Sequence, residues 1–226
     1  MRSPIHSRYF LTLLLFLCGS HASATTVRAH VSDASGAPLP DAAVALYAPT
    51  PTNFPDVANA VMDQRDKQFD PHVLVVRKNT SVRFPNKDDI RHQVYSFSPA
   101  KRFELRLYHG QLANPIVFDT AGEVALGCNI HDKMIGYIYV VDTPWFAKSD
   151  SQGSALIANV PAGTYSARLW YPGVMPTAAG LEQSVKVAAS GEVTLNFQVG
   201  APATPTATKP ESELQQLFRR PSKNAP

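Results

Sequence analysis

In the stretch Gly127-Cys128-Asn129-Ile130-His131-Asp132-Lys133-Met134, a thiol, an imidazole and a thioether recur at intervals of three residues. Donors of this softness favour copper over harder ions, and two His with one Cys in a trigonal arrangement, completed by a weak axial Met, make a copper electron-transfer site. The set needs a second imidazole. The best placed is His92, which ends the polar turn Asn86-Lys87-Asp88-Asp89-Ile90-Arg91 and leads into the apolar run Val94-Tyr95-Ser96-Phe97. A turn beside one strand can face a loop between two others in a closed β-sandwich, so His92, Cys128, His131 and Met134 form the candidate ligand set for one mononuclear copper ion. Cys128 would bind as thiolate, because the metal lowers the thiol pKa. Zinc is the rival ion, although structural zinc sites use several Cys or a hard ligand more often than Met. A Cys-His nucleophilic pair is the rival chemistry, but the loop offers no third group to orient the base, so no enzyme is expected.

The elements that must position these donors begin after a leader. Arg2 and Arg8, the apolar run Leu13-Leu14-Leu15-Phe16-Leu17 and the small residues Ala22-Ser23-Ala24 read as a secretory signal peptide cut after Ala24. At about ten residues the run is too short for a bilayer span, which takes about twenty, so the segment is an address and not an anchor. The chain is expected to be periplasmic or otherwise exported. Of the two cysteines, Cys18 lies in the leader. Cys128 is then a lone thiol in an exported protein, which is a ligand, half of an intermolecular bridge or a free thiol, or else a buried structural residue. His131 and Met134 beside it favour a ligand.

The remaining candidates read as structural. His72 falls in a strand as a partly buried core residue, His109 in a surface turn and His30 away from the site, while Met62 and Met175 suit packing. Asp88 and Asp89, adjacent in a polar turn, read as solvated. The 21 Lys and Arg against 18 Asp and Glu are scattered and give a net charge of +3, so nothing asks for nucleic acid.

Short apolar or alternating runs at 27–31, 43–47, 60–64, 72–77, 81–84, 93–97, 103–107, 116–118, 123–128, 136–141, 156–160, 164–172, 182–187 and 193–199, separated by Gly, Pro, Ser and Asp, argue an all-β protein of sandwich type. Phe103, Leu105 and Leu107 alternate with Glu104 and Arg106, the pattern of a strand with one wet face. Val124, Leu126 and Cys128 alternate likewise, which turns the thiol toward the core. Pro49, Pro51 and Pro55 on one side and Asp142-Thr143-Pro144 on the other mark changes of unit. The expected division is a leader at 1–24, an outer sandwich built from 25–55 plus 143–200, an inserted unit at 56–142, and a disordered tail at 201–226. Neither outer flank can bury a core alone, so the two should pair with each other.

The segment from Val61 to Val141 resembles the cupredoxins, plastocyanin and amicyanin among them, and more closely the exported methylamine-utilisation-protein-like members of that group. The loop Cys128-x-x-His131-x-x-Met134 has the short spacing seen in amicyanin, and Phe84-Pro85-Asn86 leading to His92 looks like the approach to that family's first His ligand. Gln93 departs from the pattern, standing where many members carry Asn, as does the separation of Asn86 from His92. The flanks, with Val31-Ser32-Asp33-Ala34-Ser35-Gly36 and Val160-Pro161-Ala162-Gly163-Thr164-Tyr165, look like the carboxypeptidase regulatory-like domain, a small transthyretin-type sandwich. The resemblance implies a Greek-key cupredoxin-like sandwich nested in a second sandwich, and a type 1 copper protein that passes single electrons to a redox protein partner. Two other functions stay open: copper handling without an electron partner, and a structural or carbohydrate-associated β-sandwich protein.

Overall fold

The computed structural model describes residues 25–51, 58–111, 114–174 and 178–200. The leader and the tail lie outside the described residues, as does Met175. Every regular element among the described residues is a β-strand: β1 (Thr25–Asp33), β2 (Ala43–Tyr47), β3 (Asn59–Val61), β4 (Asp63–Arg65), β5 (Gln68–Asp70), β6 (Val73–Arg77), β7 (Thr80–Arg83), β8 (His92–Ser98), β9 (Lys101–Tyr108), β10 (Ile116–Phe118), β11 (Gly122–Gly127), β12 (Ile135–Val141), β13 (Trp145–Lys148), β14 (Ser154–Val160), β15 (Gly163–Trp170), β16 (Glu182–Val187) and β17 (Glu192–Val199). The fold is all-β.

The first and last described strands share one core. β1 lies between β14 and β17 in one sheet, and a second sheet runs β13-β2-β15-β16. Period-two alternation sends Val27, Ala29 and Val31 of β1, Val44 and Leu46 of β2, and Leu195, Phe197 and Val199 of β17 into one buried cluster. The middle of the chain builds two further sheets, β6-β12-β11-β8-β9 and β10-β7-β3, with the hairpin β4-β5 beside them. Their inner faces bury Val82, Phe84, Val94, Phe118, Val124, Leu126 and Ile138 together with Cys128 and Met134. β6 and β12 pair in parallel, which needs a crossover connection rather than a hairpin.

A third buried cluster joins the two bodies: Ala43 and Trp170 from β2 and β15, Val73 and Tyr137 from β6 and β12. The sequence of these strands explains it. Val73-Leu74-Val75-Val76 and Tyr137-Ile138-Tyr139-Val140 are apolar on both faces, as strands covered on both sides must be. Leu74, Val76, Ile138 and Val140 face the inner core, while Val73, Val75, Tyr137 and Tyr139 face the outer sandwich. On the other side β2 presents the small Ala43, which leaves room for the indole of Trp170. That ring stacks on Tyr139 at 4.6 Å and 5°, meets Tyr137 edge-on at 6.2 Å, and donates its N–H to Glu123 at 2.9 Å.

Three local expectations are corrected. Leu107 is half exposed, because the pairing of β8 with β9 shifts between His92/Tyr108 and Val94/Leu105. The extra residue in β9 is a β-bulge that turns Leu107 out and Tyr108 in. His72 precedes β6 and is exposed, its ring edge-on to Tyr137. The single run expected at 60–64 divides into β3 and β4 on either side of Met62, and β5 and β13, at three and four residues too short to show a period, have no counterpart among the expected strands.

Candidate metal centre

The loop that carries three of the four candidate donors is held at both ends by one hairpin. β11 and β12 pair antiparallel from Gly122/Val140 to Gly127/Ile135, so residues 128–134 must close on themselves. Two turns do this: the Met134 N–H donates to the His131 carbonyl at 2.9 Å and the Ile135 N–H to the Lys133 carbonyl at 3.1 Å. Cys128 continues the inward face of Val124 and Leu126 and is 3% exposed. Gly127 has no side chain for a steric reason. A Cβ there would lie 2.6 Å from the Tyr95 ring, which crosses β11 at that point.

His92 opens β8 and is fully buried. Its Nδ1 lies 3.9 Å from the Cys128 Sγ, and the His131 Nδ1 lies 3.8 Å from the same sulfur. The two rings are 4.9 Å apart at 59°. One donor atom from each of His92, Cys128 and His131 falls within 4.8 Å of the others. Metal–sulfur and metal–nitrogen bonds of about 2.3 and 2.0 Å hold S and N about 3.7 Å apart at a trigonal angle and about 3.5 Å apart at a tetrahedral one. The observed separations of 3.9 and 3.8 Å are close enough for the three donors to share one ion, and the soft donor set suits copper. Met134, 1% exposed, is buried in the same cluster as Cys128. His131 is half-buried and is followed by the exposed Asp132 and Lys133, so one donor imidazole reaches toward the surface while the other is sealed inside.

The surroundings of His92 are built from residues that sequence reasoning set aside. Asp88 is not a solvated turn residue: its Oδ2 lies 2.7 Å from the His92 Nε2. The same carboxylate accepts the backbone N–H groups of Asp66 at 2.7 Å and Lys67 at 2.9 Å, the two turn residues of the β4-β5 hairpin. Burial raises the Asp88 pKa, but the Lys67 N–H, His92 and the Asp66 N–H together outweigh it and hold the carboxyl below its usual range. An ionised Asp88 accepts from Nε2–H and so leaves the Nδ1 lone pair of a neutral His92 facing Cys128, the tautomer a ligand requires. Asn86 fixes the turn: its amide donates to the carbonyls of Ile90 and Tyr108 at 2.8 and 2.9 Å, and its Oδ1 accepts the Asp88 N–H at 3.0 Å. Gln93 points elsewhere, to Glu104. Only the i, i+4 spacing of Asp88 and His92 could have signalled this arrangement.

Behind the site, Tyr108 donates to the Phe84 carbonyl at 2.5 Å and receives the Gln64 amide. Burial pushes its phenol up to about 12, partly countered by Gln64 and reinforced by Cys128. The β9 bulge thus supplies a neutral, hydrogen-bonded wall. The other candidates do not join the site: His30 and His109 are exposed, and Met62 is core.

The loop pair Cys128 and His131 gains no third group from Asp88, whose carboxylate is bonded to His92 instead. Cys128, His92 and Asp88 stand in the order of a nucleophile, a base and its orienter. The thiol is 3% exposed and the imidazole fully buried.

No family model matches the chain, and no curated protein matches it. Among solved structures it is similar to a Cu-containing nitrite reductase from Thermus scotoductus SA-01, at 22% identity and a TM-score of 0.35 over 41% of this chain and 25% of that one. The chain therefore spans a quarter of that enzyme's length. It is also similar to a reduced amicyanin variant, at 21% identity and a TM-score of 0.33 over 43% of this chain and 99% of that one. A third is a purple cupredoxin from Nitrosopumilus maritimus, at 19% identity and 0.32 over 37% of this chain and 99% of that one.

Proposed function

We propose that this chain is an exported copper protein that carries single electrons rather than catalysing a reaction. One copper ion would be held by His92, Cys128 and His131, with Met134 as the weak fourth donor. The observation that carries the reading is the convergence of the His92 and His131 Nδ1 atoms on one buried thiol at 3.9 and 3.8 Å. Bound copper supplies a one-electron couple. The protein supplies the rest: Asp88 sets the tautomer of His92, the inner core keeps water from Cys128, and the β11-β12 hairpin fixes the loop so that the donors move little between oxidation states. His131 gives the outward path to a redox protein partner, since it is the donor imidazole nearest solvent.

In the same proposal residues 1–24 are an export leader, 56–142 the cupredoxin-like copper unit, and 25–55 plus 143–200 a carboxypeptidase regulatory-like sandwich around it. The pairing of β1 with β14 and β17, and of β2 with β13 and β15, supports that division. No helix among the described residues is long and apolar enough to cross a membrane.

Voltammetry of the copper-loaded protein separates a carrier from a copper-handling protein. A carrier gives a reversible one-electron wave and keeps its ion when reduced. Release of the ion on reduction, or on mixing with a metal-free acceptor, would assign copper handling instead.

A further inference from the structure

A cavity of about 550 Å³ opens where the outer sandwich meets the metal loop, within the size range of small-molecule sites, which favour such junctions. Its apolar lining includes Ile135 and Tyr137 from β12, Tyr171 from just beyond β15, and Pro40 and Pro172; His72 and Gln68 line it as well. Lys67 lines it from the β4-β5 turn and Lys133 from the metal loop. Asp41 also lines it, but its Oδ1 is engaged by the Lys148 Nζ at 2.5 Å; Asp66 is exposed at the mouth. Neither Lys67 nor Lys133 is in an ion pair among the described residues.

We propose that this cavity binds a small organic anion with a flat apolar body, an aromatic carboxylate in class. Ile135 and the two phenol rings give such a body an apolar, polarisable surface. The ammonium groups of Lys67 and Lys133 give its carboxylate charge-assisted hydrogen bonds, the strong kind. The backbone from which the exposed Lys67 side chain springs is fixed, because Asp66 and Lys67 both have positive φ, 53° and 59°, in a turn whose two N–H groups are tied to the Asp88 carboxylate. The occupant would therefore touch the turn that holds Asp88 and the loop that carries His131. The site stands on the cavity and not on copper, so it is tested without metal.

Benzoate is the probe and benzamide its neutral control of the same shape. Metal-free protein is titrated with each, by calorimetry and by amide NMR. Saturable benzoate binding is expected, with shifts centred on Lys67, Lys133, Ile135 and Tyr171, and with benzamide at least about ten-fold weaker. Lys67→Met and Lys133→Met should each lower benzoate affinity about ten-fold, a loss of one charged hydrogen bond. Cys128→Ser, which removes the proposed copper thiolate, should bind benzoate as the wild type does. No saturable binding, equal binding of benzamide, or unchanged affinity in the Lys67→Met/Lys133→Met double variant would overturn the proposal, whatever the outcome with copper.

Discussion

The Nε2 of His92 lies 2.7 Å from the Oδ2 of Asp88, four residues earlier, and the imidazole of that pair is fully buried. The contact decides which nitrogen of His92 is available. With Nε2–H given to the carboxylate, Nδ1 keeps its lone pair for the thiol side of the ring, where Cys128 and His131 wait.

Asp88→Ala should therefore weaken copper binding by about 10–100-fold, the usual effect of losing a carboxylate that orients a ligating His. The site should still form its coloured complex, because no donor atom is removed. Competition against a chelator of known affinity measures this, and a variant that binds as tightly as the wild type would remove Asp88 from the account.

Met134 and the histidines should respond differently. Met134→Leu nearly conserves volume in a buried position, a change that usually costs less than about 1.5 kcal/mol, so the fold and the copper are retained. Its reduction potential should rise, since a weak axial donor stabilises the oxidised ion modestly. His92→Gly or His131→Gly should strip or distort the site. Equal copper loss in all three variants would show that Met134 is not a weak axial ligand.

The two bodies should unfold together through Trp170, which is 5% exposed and packed on Tyr137 and Tyr139. Trp170→Ala should cost about 3–5 kcal/mol and split one calorimetric transition into two. The same contacts bear on a chain whose residues 56–142 are replaced by a short Gly-Ser linker: it loses the partners of Ala43 and Trp170, so it should fold with an exposed apolar face. A single undisturbed transition in Trp170→Ala would mean that the third cluster does not couple the two cores.

Acid should act on the outer sandwich through Asp33 and Asp150. The Asp33 carboxylate accepts the Ser35 hydroxyl and the N–H groups of Ser35 and Ala37, and Asp150 accepts the N–H groups of Ser154 and Gln152. These bonds hold both carboxyls below their ordinary values. Because the folded pKa is the lower one, the stabilisation is present in full above the unfolded value of about 4 and is lost as pH falls through the folded pKa. Unfolding midpoints should be flat from neutral pH to about pH 5 and drop below about pH 4, and the drop should be shallower in Asp33→Asn/Asp150→Asn. An identical drop in that variant would place the acid sensitivity elsewhere.

What the sequence made legible was local and periodic. Val124, Leu126 and Cys128 alternate, and the thiol is buried as that alternation requires; the polar turn before Val94 leads to a histidine that faces it. What stayed hidden was non-local. Asp88 looks like any acidic turn residue until the β4-β5 hairpin is folded over it, and that hairpin turns on Asp66-Lys67 rather than on Asn-Gly or Asp-Gly, the pairs that favour positive φ. Leu107 obeys a period-two pattern that a single bulge breaks. Tyr139 and Trp170 meet across two sheets, which no window of sequence contains.

The proposed copper site stands or falls with Cys128 as a thiolate ligand between two imidazoles. Titrating Cu(II) into the metal-free protein, with Cys128→Ser in parallel, and recording the visible spectrum tests it most directly. The wild type should develop an intense thiolate-to-copper charge-transfer band that saturates at one equivalent, and Cys128→Ser should develop none. A wild-type protein that takes up copper and stays colourless, or a Cys128→Ser variant that keeps the band, would contradict it.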